Sequence, residues 1–283
     1  MQALFPKDLI SGSISTQPEL DAAFLKHSGF SRAYIAIAIG KPEIRQWYEE
    51  WWPHLSKYLD KNFITEFQKE KSHLQRAWEF HLGAALIDKG MSLQETDATG
   101  PDFCLMSPDG KKIWIEAISC DLGDTDGVDP MPELLPGIIY DFSGNIEDIN
   151  RPRVLRITNA ISTKLKVFDN YLKNEKGGVS SDDCLIVAVG GVAIQHHSEP
   201  RMLFKRAVFG QGPDTYVRVP GKEKLQGPFY KLCPIVTKRT KDGREEKISS
   251  TFLELPEISR ISAVIYCGHK AYDCKLDDDN IGD

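Results

Sequence analysis

The stretch from Gly100 to Ser119, GPDFCLMSPDGKKIWIEAIS, constrains the fold of this chain more than any other. It reads as two short apolar strands, over 102–107 and 111–119, joined at a Pro-Asp-Gly turn. Each strand carries one carboxylate in an apolar setting, Asp102 in the first and Glu116 in the second. Burying a charge is costly unless something compensates it. A strand that runs Ile113-Trp114-Ile115 into Glu116 and then Ala117-Ile118 therefore demands a partner from whatever packs on it.

Two helical patterns flank the hairpin. Residues 66–89 keep a helix-like period and stop at Gly90, a natural helix terminator. At about 100° per residue, Trp78, Leu82, Ala85 and Leu86 form one stripe, with Gln75 and Glu79 on it and Arg76 and Phe80 off it. Glu79 is thus expected to face the sheet. The second helix is expected over 153–173, just after Pro152, with Ile157, Ala160, Ile161, Leu165, Phe168, Tyr171 and Leu172 on its inner face. Lys164 falls near the middle of that stripe, whereas Lys166 and Lys173 fall on the opposite side. Arg153 lies near the inner face at the helix start.

Glu79, Asp102, Glu116 and Lys164 are therefore aimed at a common interior. A buried ion-pair network would satisfy them, but converging carboxylates repel one another and raise each other's pKa unless a cation is present. Mg²⁺ is held by one or two carboxylates with waters and substrate phosphates, so a metal site accounts for the arrangement better than a lone salt bridge.

The order helix, three strands, helix, strand over about residues 70–191, with Pro101-Asp102, Glu116 and Glu79, resembles the PD-(D/E)XK, or restriction-endonuclease-like, nuclease superfamily. The resemblance implies an α/β fold with a mixed central sheet, here extended by N-terminal helices and C-terminal β-rich additions. It implies a Mg²⁺- or Mn²⁺-dependent nuclease acting on DNA ahead of RNA, in defence or DNA repair. Asp102, Glu116 and the backbone carbonyl of Ala117 would hold the metal, and Glu79 would bind a second metal or orient a metal-bound water. The family places a lysine two residues after the second acid. Here that position is Ile118, and Lys164 is the candidate replacement, as in members that move the lysine to the following helix. Without it, the chain would be a catalytically inactive member serving as a nucleic-acid-binding or assembly subunit. A homodimer or a separate partner subunit is compatible with either role.

The remaining segments organise around this core. Residues 1–65 read as a helical extension, with helices beginning near Pro18 and Pro42, residues 66–270 as the nuclease-like domain, and 271–283 as an acidic tail. Trp47, Tyr48, Trp51 and Trp52 read as a packing face rather than a platform for bases. "DCLIVAVGG" and "ISAVIYCG" read as buried strands, and "KLCPIVTKRTKDGREEKISSTFLEL" as a hairpin turning at Asp242-Gly243. Tyr171 could reach a phosphate, but reads first as a packed aromatic.

The chain has 283 residues, 41% of them hydrophobic and 27% charged, with a formal net charge of −6, which excludes a protein coated in basic surface but leaves room for a local basic groove. Candidates to follow a phosphate backbone are Lys111, Lys112, Arg151, Arg153, Lys205, Arg206, Lys238, Arg239, Lys241 and Arg244. The six cysteines form no CxxC pair and read as reduced core residues. No signal peptide is visible and no apolar run is long enough to span a bilayer, so a soluble, cytoplasmic protein with no membrane partner is expected. "LGDTDGVDPMPE" imitates a calcium loop only in part, since Leu122 occupies its first ligand position. His196-His197 reads as surface loop, and no dinucleotide loop or nucleophilic triad is supported.

Overall fold

The computed structural model describes residues 2–10, 16–96, 99–121, 146–174, 177–194, 200–218, 220, 224, 226–251 and 261–268. The calcium-like loop, His196-His197 and the acidic tail lie outside these residues. The architecture is α/β, with a mixed five-stranded sheet and flanking helices. The sheet order is β1-β2-β3-β4-β9, where β1 is Leu93–Gln94, β2 Phe103–Met106, β3 Lys112–Ser119, β4 Cys184–Gly190 and β9 Ala263–Cys267. The chain divides into two compact units, one of residues 1–118, 170–186 and 270–283, the other of 119–169 and 187–269.

The first unit opens with α1 (Gln17–Lys26), α2 (Arg32–Ile35), a π-helical turn (Ala36–Gly40), α3 (Pro42–Leu55) and α4 (Phe63–Phe67). Proline in the first turn starts both α1 and α3, where its fixed φ suits the helix and its missing N–H is not needed. Tyr34, Tyr48, Phe63, Phe67 and Phe80 are buried together in an aromatic core, with ring centroids 4.7 Å apart for Tyr48 and Phe80 and 5.6 Å for Tyr34 and Phe67. The tryptophans of α3 join this packing: Trp47 stacks on the His81 ring at 4.5 Å, and Trp52 is buried against Phe63 and Phe80.

The helix expected over 66–89 is two helices, α4 and α5 (His73–Asp88). The break has a local cause. Ser72 Oγ donates to the Glu66 carbonyl at 2.8 Å and the Phe67 carbonyl meets the His73 ring at 2.6 Å, so side chains take over acceptors that a continued helix would satisfy with its own amides. Phe80, expected off the inner stripe, is fully buried. The reason is that α5 has no solvent face along its middle. At Gly83 an added Cβ would stand 2.6 Å from Leu55 of α3 and 3.1 Å from the Phe103 ring of β2, so the helix is gripped on two sides. One side meets the sheet, and the other, with Phe80, meets the N-terminal aromatics.

In the second unit, α6 (Ile146–Asn174, whose last residues belong to the first unit) starts well before the expected residue 153, and Pro152 lies inside it. Val154, Ile157, Ala160, Ile161 and Phe168 are buried on one stripe. Helix α7 (Pro200–Phe209) and two antiparallel ribbons complete the unit: β5 (Thr215–Val217) with β6 (Gln226–Phe229), and β7 (Ile235–Arg239) with β8 (Glu245–Ser249), the latter turning at Asp242-Gly243. Arg206 of α7 is buried and donates to the carbonyls of Cys233 and Ile235 and to Ser250 Oγ, so it braces the β7–β8 ribbon instead of facing a ligand. Arg153 is also buried, and burial pushes its pKa down. Both therefore leave the set of surface cations that could follow a phosphate backbone. Cys104, Cys120, Cys184, Cys233 and Cys267 carry free thiols, with Cys104 and Cys120 buried. Among the described residues no helix is long and apolar enough to cross a membrane.

Candidate active site

The hairpin places the two acids. Strands β2 and β3 pair antiparallel with Phe103 opposite Ile115, Cys104 opposite Trp114 and Leu105 opposite Ile113. Asp102 immediately precedes β2 and Glu116 immediately follows Ile115 in β3, so the two acids flank the Phe103–Ile115 pair. Asp102 Oδ2 accepts the Ala117 backbone N–H at 2.7 Å, which fixes the first carboxylate to the strand that carries the second. Glu116 is 2% exposed, although it sits in a strand that would otherwise be apolar.

Helix α5 brings the third acid, as its stripe implied. Glu79 is 4% exposed. Arg76 Nη1 donates to Glu79 Oε2 at 2.5 Å and lies 3.2 Å from Asp60 Oδ2. Gln75 Nε2 donates to Glu79 Oε1 at 2.8 Å and to the Ala117 carbonyl at 3.0 Å. The Ala117 peptide is thereby held at both ends, its N–H by Asp102 and its oxygen by Gln75. Burial, and after it the charge of Asp102, push Glu79 up to about 7, against the opposing pull of Arg76 and Gln75. Burial alone would lower Arg76, but the charges of Glu79, Asp60 and Asp102 raise it. A single guanidinium thus offsets only part of the local negative charge.

Tyr171, near the end of α6, is a fourth member. Its single hydroxyl proton has two acceptors in reach, Glu116 Oε1 at 3.0 Å and the Gly100 carbonyl at 3.2 Å. Burial first, then the neighbouring Glu116 charge, raise its pKa, so it acts as a neutral donor. The reading of Tyr171 as only a packed aromatic is therefore incomplete. Behind it the backbone is tightly crossed. Gly177 has φ +66°, and a Cβ there would run into the Cα of Gly100, next to Pro101. This crossing seats the strand entry from which Asp102 projects.

The structure thus brings Glu79, Asp102, Glu116 and Ala117 together in the first unit. Lys164 lies half-buried on α6 in the second unit. Arg76 and Gln75 join the site without having been singled out for it, and the Tyr171 hydroxyl, expected at most to reach a phosphate, bonds Glu116 instead. Arg76 precedes Glu79 by three residues, a spacing at which helix side chains meet, and that signal was available.

Among the described residues, no group of three or more His, Cys, Asp and Glu side chains is arranged to hold a metal ion. A smaller donor set remains. Asp102, Glu116 and the Ala117 carbonyl supply only hard oxygen atoms, and Mg²⁺ needs no more than one or two carboxylates when waters fill its other positions. Glu79 has one oxygen engaged by Gln75 and the other by Arg76, which suits a supporting position beside that set. Compared with protein-family models, curated proteins and solved structures, the chain matches none.

Proposed function

We propose that this chain is a metal-dependent nuclease of the restriction-endonuclease-like kind, hydrolysing phosphodiester bonds in DNA ahead of RNA. The observation that supports it is the bond from the Ala117 N–H to Asp102 Oδ2, which ties the first acid to the strand that carries the buried Glu116. Asp102, Glu116 and the Ala117 carbonyl would hold Mg²⁺ or Mn²⁺. Such an ion polarises a phosphoryl oxygen and lowers the pKa of bound water. Tyr171 orients Glu116 through its hydroxyl, and Gln75 orients the Ala117 carbonyl. Lys164 would supply the positive charge that the family takes from the position of Ile118. Defence against foreign DNA, or DNA repair, would be the setting.

A second reading keeps the fold and drops the chemistry. It draws on Ile118 standing where the family has lysine, and on Arg76 already neutralising part of the acidic group. On that reading the chain binds nucleic acid or assembles with a partner without cutting. Incubation with supercoiled and linear DNA and with RNA, in Mg²⁺ or Mn²⁺, separates the two. The nuclease reading expects cleavage that is lost in Glu116→Ala and in Lys164→Ala. A wild-type protein that cuts none of these substrates would overturn it, and cutting that survives Glu116→Ala would place the activity elsewhere.

A further inference from the structure

A cleft of about 640 Å³ opens in the second unit between the outer face of α6 and the β7–β8 ribbon. Its α6 wall is built from Pro152, Leu155, Arg156, Asn159, Ser162 and Lys166, a stripe distinct from the buried one that includes Ile157, Ile161 and Phe168. The ribbon wall contributes Lys238, Arg239 and Lys241. Five cationic side chains therefore line one cleft in a chain whose net charge is −6, against a single lining carboxylate, Glu246.

Three details indicate a ligand. Lys238 and Glu246 are 3.8 Å apart and both largely exposed, an ion pair that contributes little and exchanges readily for a stronger anion. The Nε of Arg156 is buried with no hydrogen-bond partner, so a donor in the wall is unspent. Arg156 and Lys166 are ten residues apart on one helix, a separation of about 15 Å along its axis. One nucleic-acid strand carries a charge about every 3.4 Å of duplex axis, so that span matches roughly four phosphates, whereas a mononucleotide presents its charge at one end. The Ser162 hydroxyl adds a neutral donor for a phosphate oxygen.

We propose that this cleft is a nucleic-acid backbone site, gripping one strand through consecutive phosphates without reading its sequence. The inference shares the nucleic-acid premise of the proposed function but none of its chemistry, and it applies equally to a chain that does not cut. It also gives the β7–β8 ribbon a role as one jaw of the cleft, held in place by Arg206 from within.

The test measures binding in EDTA, where cleavage cannot interfere. Fluorescence anisotropy would follow labelled single-stranded and duplex DNA and RNA oligonucleotides over a salt series. The variant is Lys166→Glu/Lys238→Glu/Lys241→Glu, three exposed positions, and the control is Lys26→Glu/Lys57→Glu/Lys61→Glu in the first unit, which makes the same change in net charge. Circular dichroism would establish that both fold. The expected result is at least a tenfold loss of affinity in the cleft variant, a log–log salt slope reduced by about 2–3, and a much smaller loss in the control. Equal losses in the two variants, or oligonucleotide binding displaced by equimolar mononucleotide, would overturn the proposal. Failure of cleavage with binding intact would count against the nuclease reading and leave the backbone site standing.

Discussion

Replacing Glu79 by glutamine should make the folded protein more stable at alkaline pH and flatten its pH dependence. The sign follows from the raised pKa. A carboxyl that titrates near 4.5 in the unfolded chain and at about 7 in the folded one keeps a proton that the unfolded chain has released between those values. Stability therefore falls as pH rises from about 4.5 to 7, and levels off above. Full ionisation of the buried group costs about 3 kcal/mol, of which about 2.5 kcal/mol falls between pH 5 and 8. Glutamine resembles the protonated acid in shape and can still accept from Gln75, so near pH 5 variant and wild type should differ little. By pH 8 the variant should be more stable by about 2–3 kcal/mol, less whatever Arg76 loses when it must rely on Asp60. Urea unfolding at a series of pH values, in EDTA, reads this directly. Arg76→Met should act in the opposite sense: with its pull removed, the wild-type decline should continue to higher pH. Two stability curves for wild type and Glu79→Gln that run parallel from pH 5 to 8 would falsify the reasoning, because the carboxyl would then titrate alike in folded and unfolded chains.

Three other perturbations probe separate links. Burial lowers His81 to about 4, so its contribution is lost as pH falls from 6.5 through 4; His81→Gln should lack about 2–3 kcal/mol of the acid destabilisation that wild type shows at pH 4.5, checked by the same unfolding series. Tyr171→Phe removes a donor from buried Glu116 and should cost about 1–3 kcal/mol in thermal or urea unfolding; in the nuclease assay it should lower kcat more than it raises KM, and an unchanged kcat would refute a positioning role. Gly177→Ala should destabilise well beyond the roughly 1 kcal/mol expected for Gly90→Ala, because both glycines have positive φ but only Gly177 has backbone in the way; equal shifts in Tm would show that the crossing relaxes without cost.

The hairpin was legible because its period of two and its turn agree. Strands expected over 102–107 and 111–119 form at Phe103–Met106 and Lys112–Ser119, and the inward aim of Glu79 follows from its stripe. The β7–β8 ribbon was legible for the same reason. Elsewhere the sequence carried less. A helix wheel assumes one buried face, and α5 has two, so Phe80 fell off the stripe while lying at the centre of the aromatic core. The break before His73 depends on Ser72 and His73 capturing carbonyls of α4, an event of hydrogen bonding that hydropathy does not register. The same limit hid the Tyr171 hydroxyl. The wheel placed its ring inward, and the bond to Glu116 depends on the last atom of that side chain. Arg206, read from charge as a candidate to follow a phosphate backbone, is buried by its neighbours, and so is Arg153, which the wheel already set near the inner face.

The close crossing of Gly177 over Gly100 bears on which substitutions the frame of the site tolerates. Glu79 and Glu116 take no part in the backbone pairing of Phe103 with Ile115 and of Leu105 with Ile113, and Asp102 adds to it one side-chain bond, from the Ala117 N–H. At the crossing, by contrast, any side chain at 177 must push away the segment that leads into Pro101. A change at 177 would therefore reach Asp102 through the backbone that leads into it, whereas a change at 79, 102 or 116 would alter the charge of the site and leave that crossing in place.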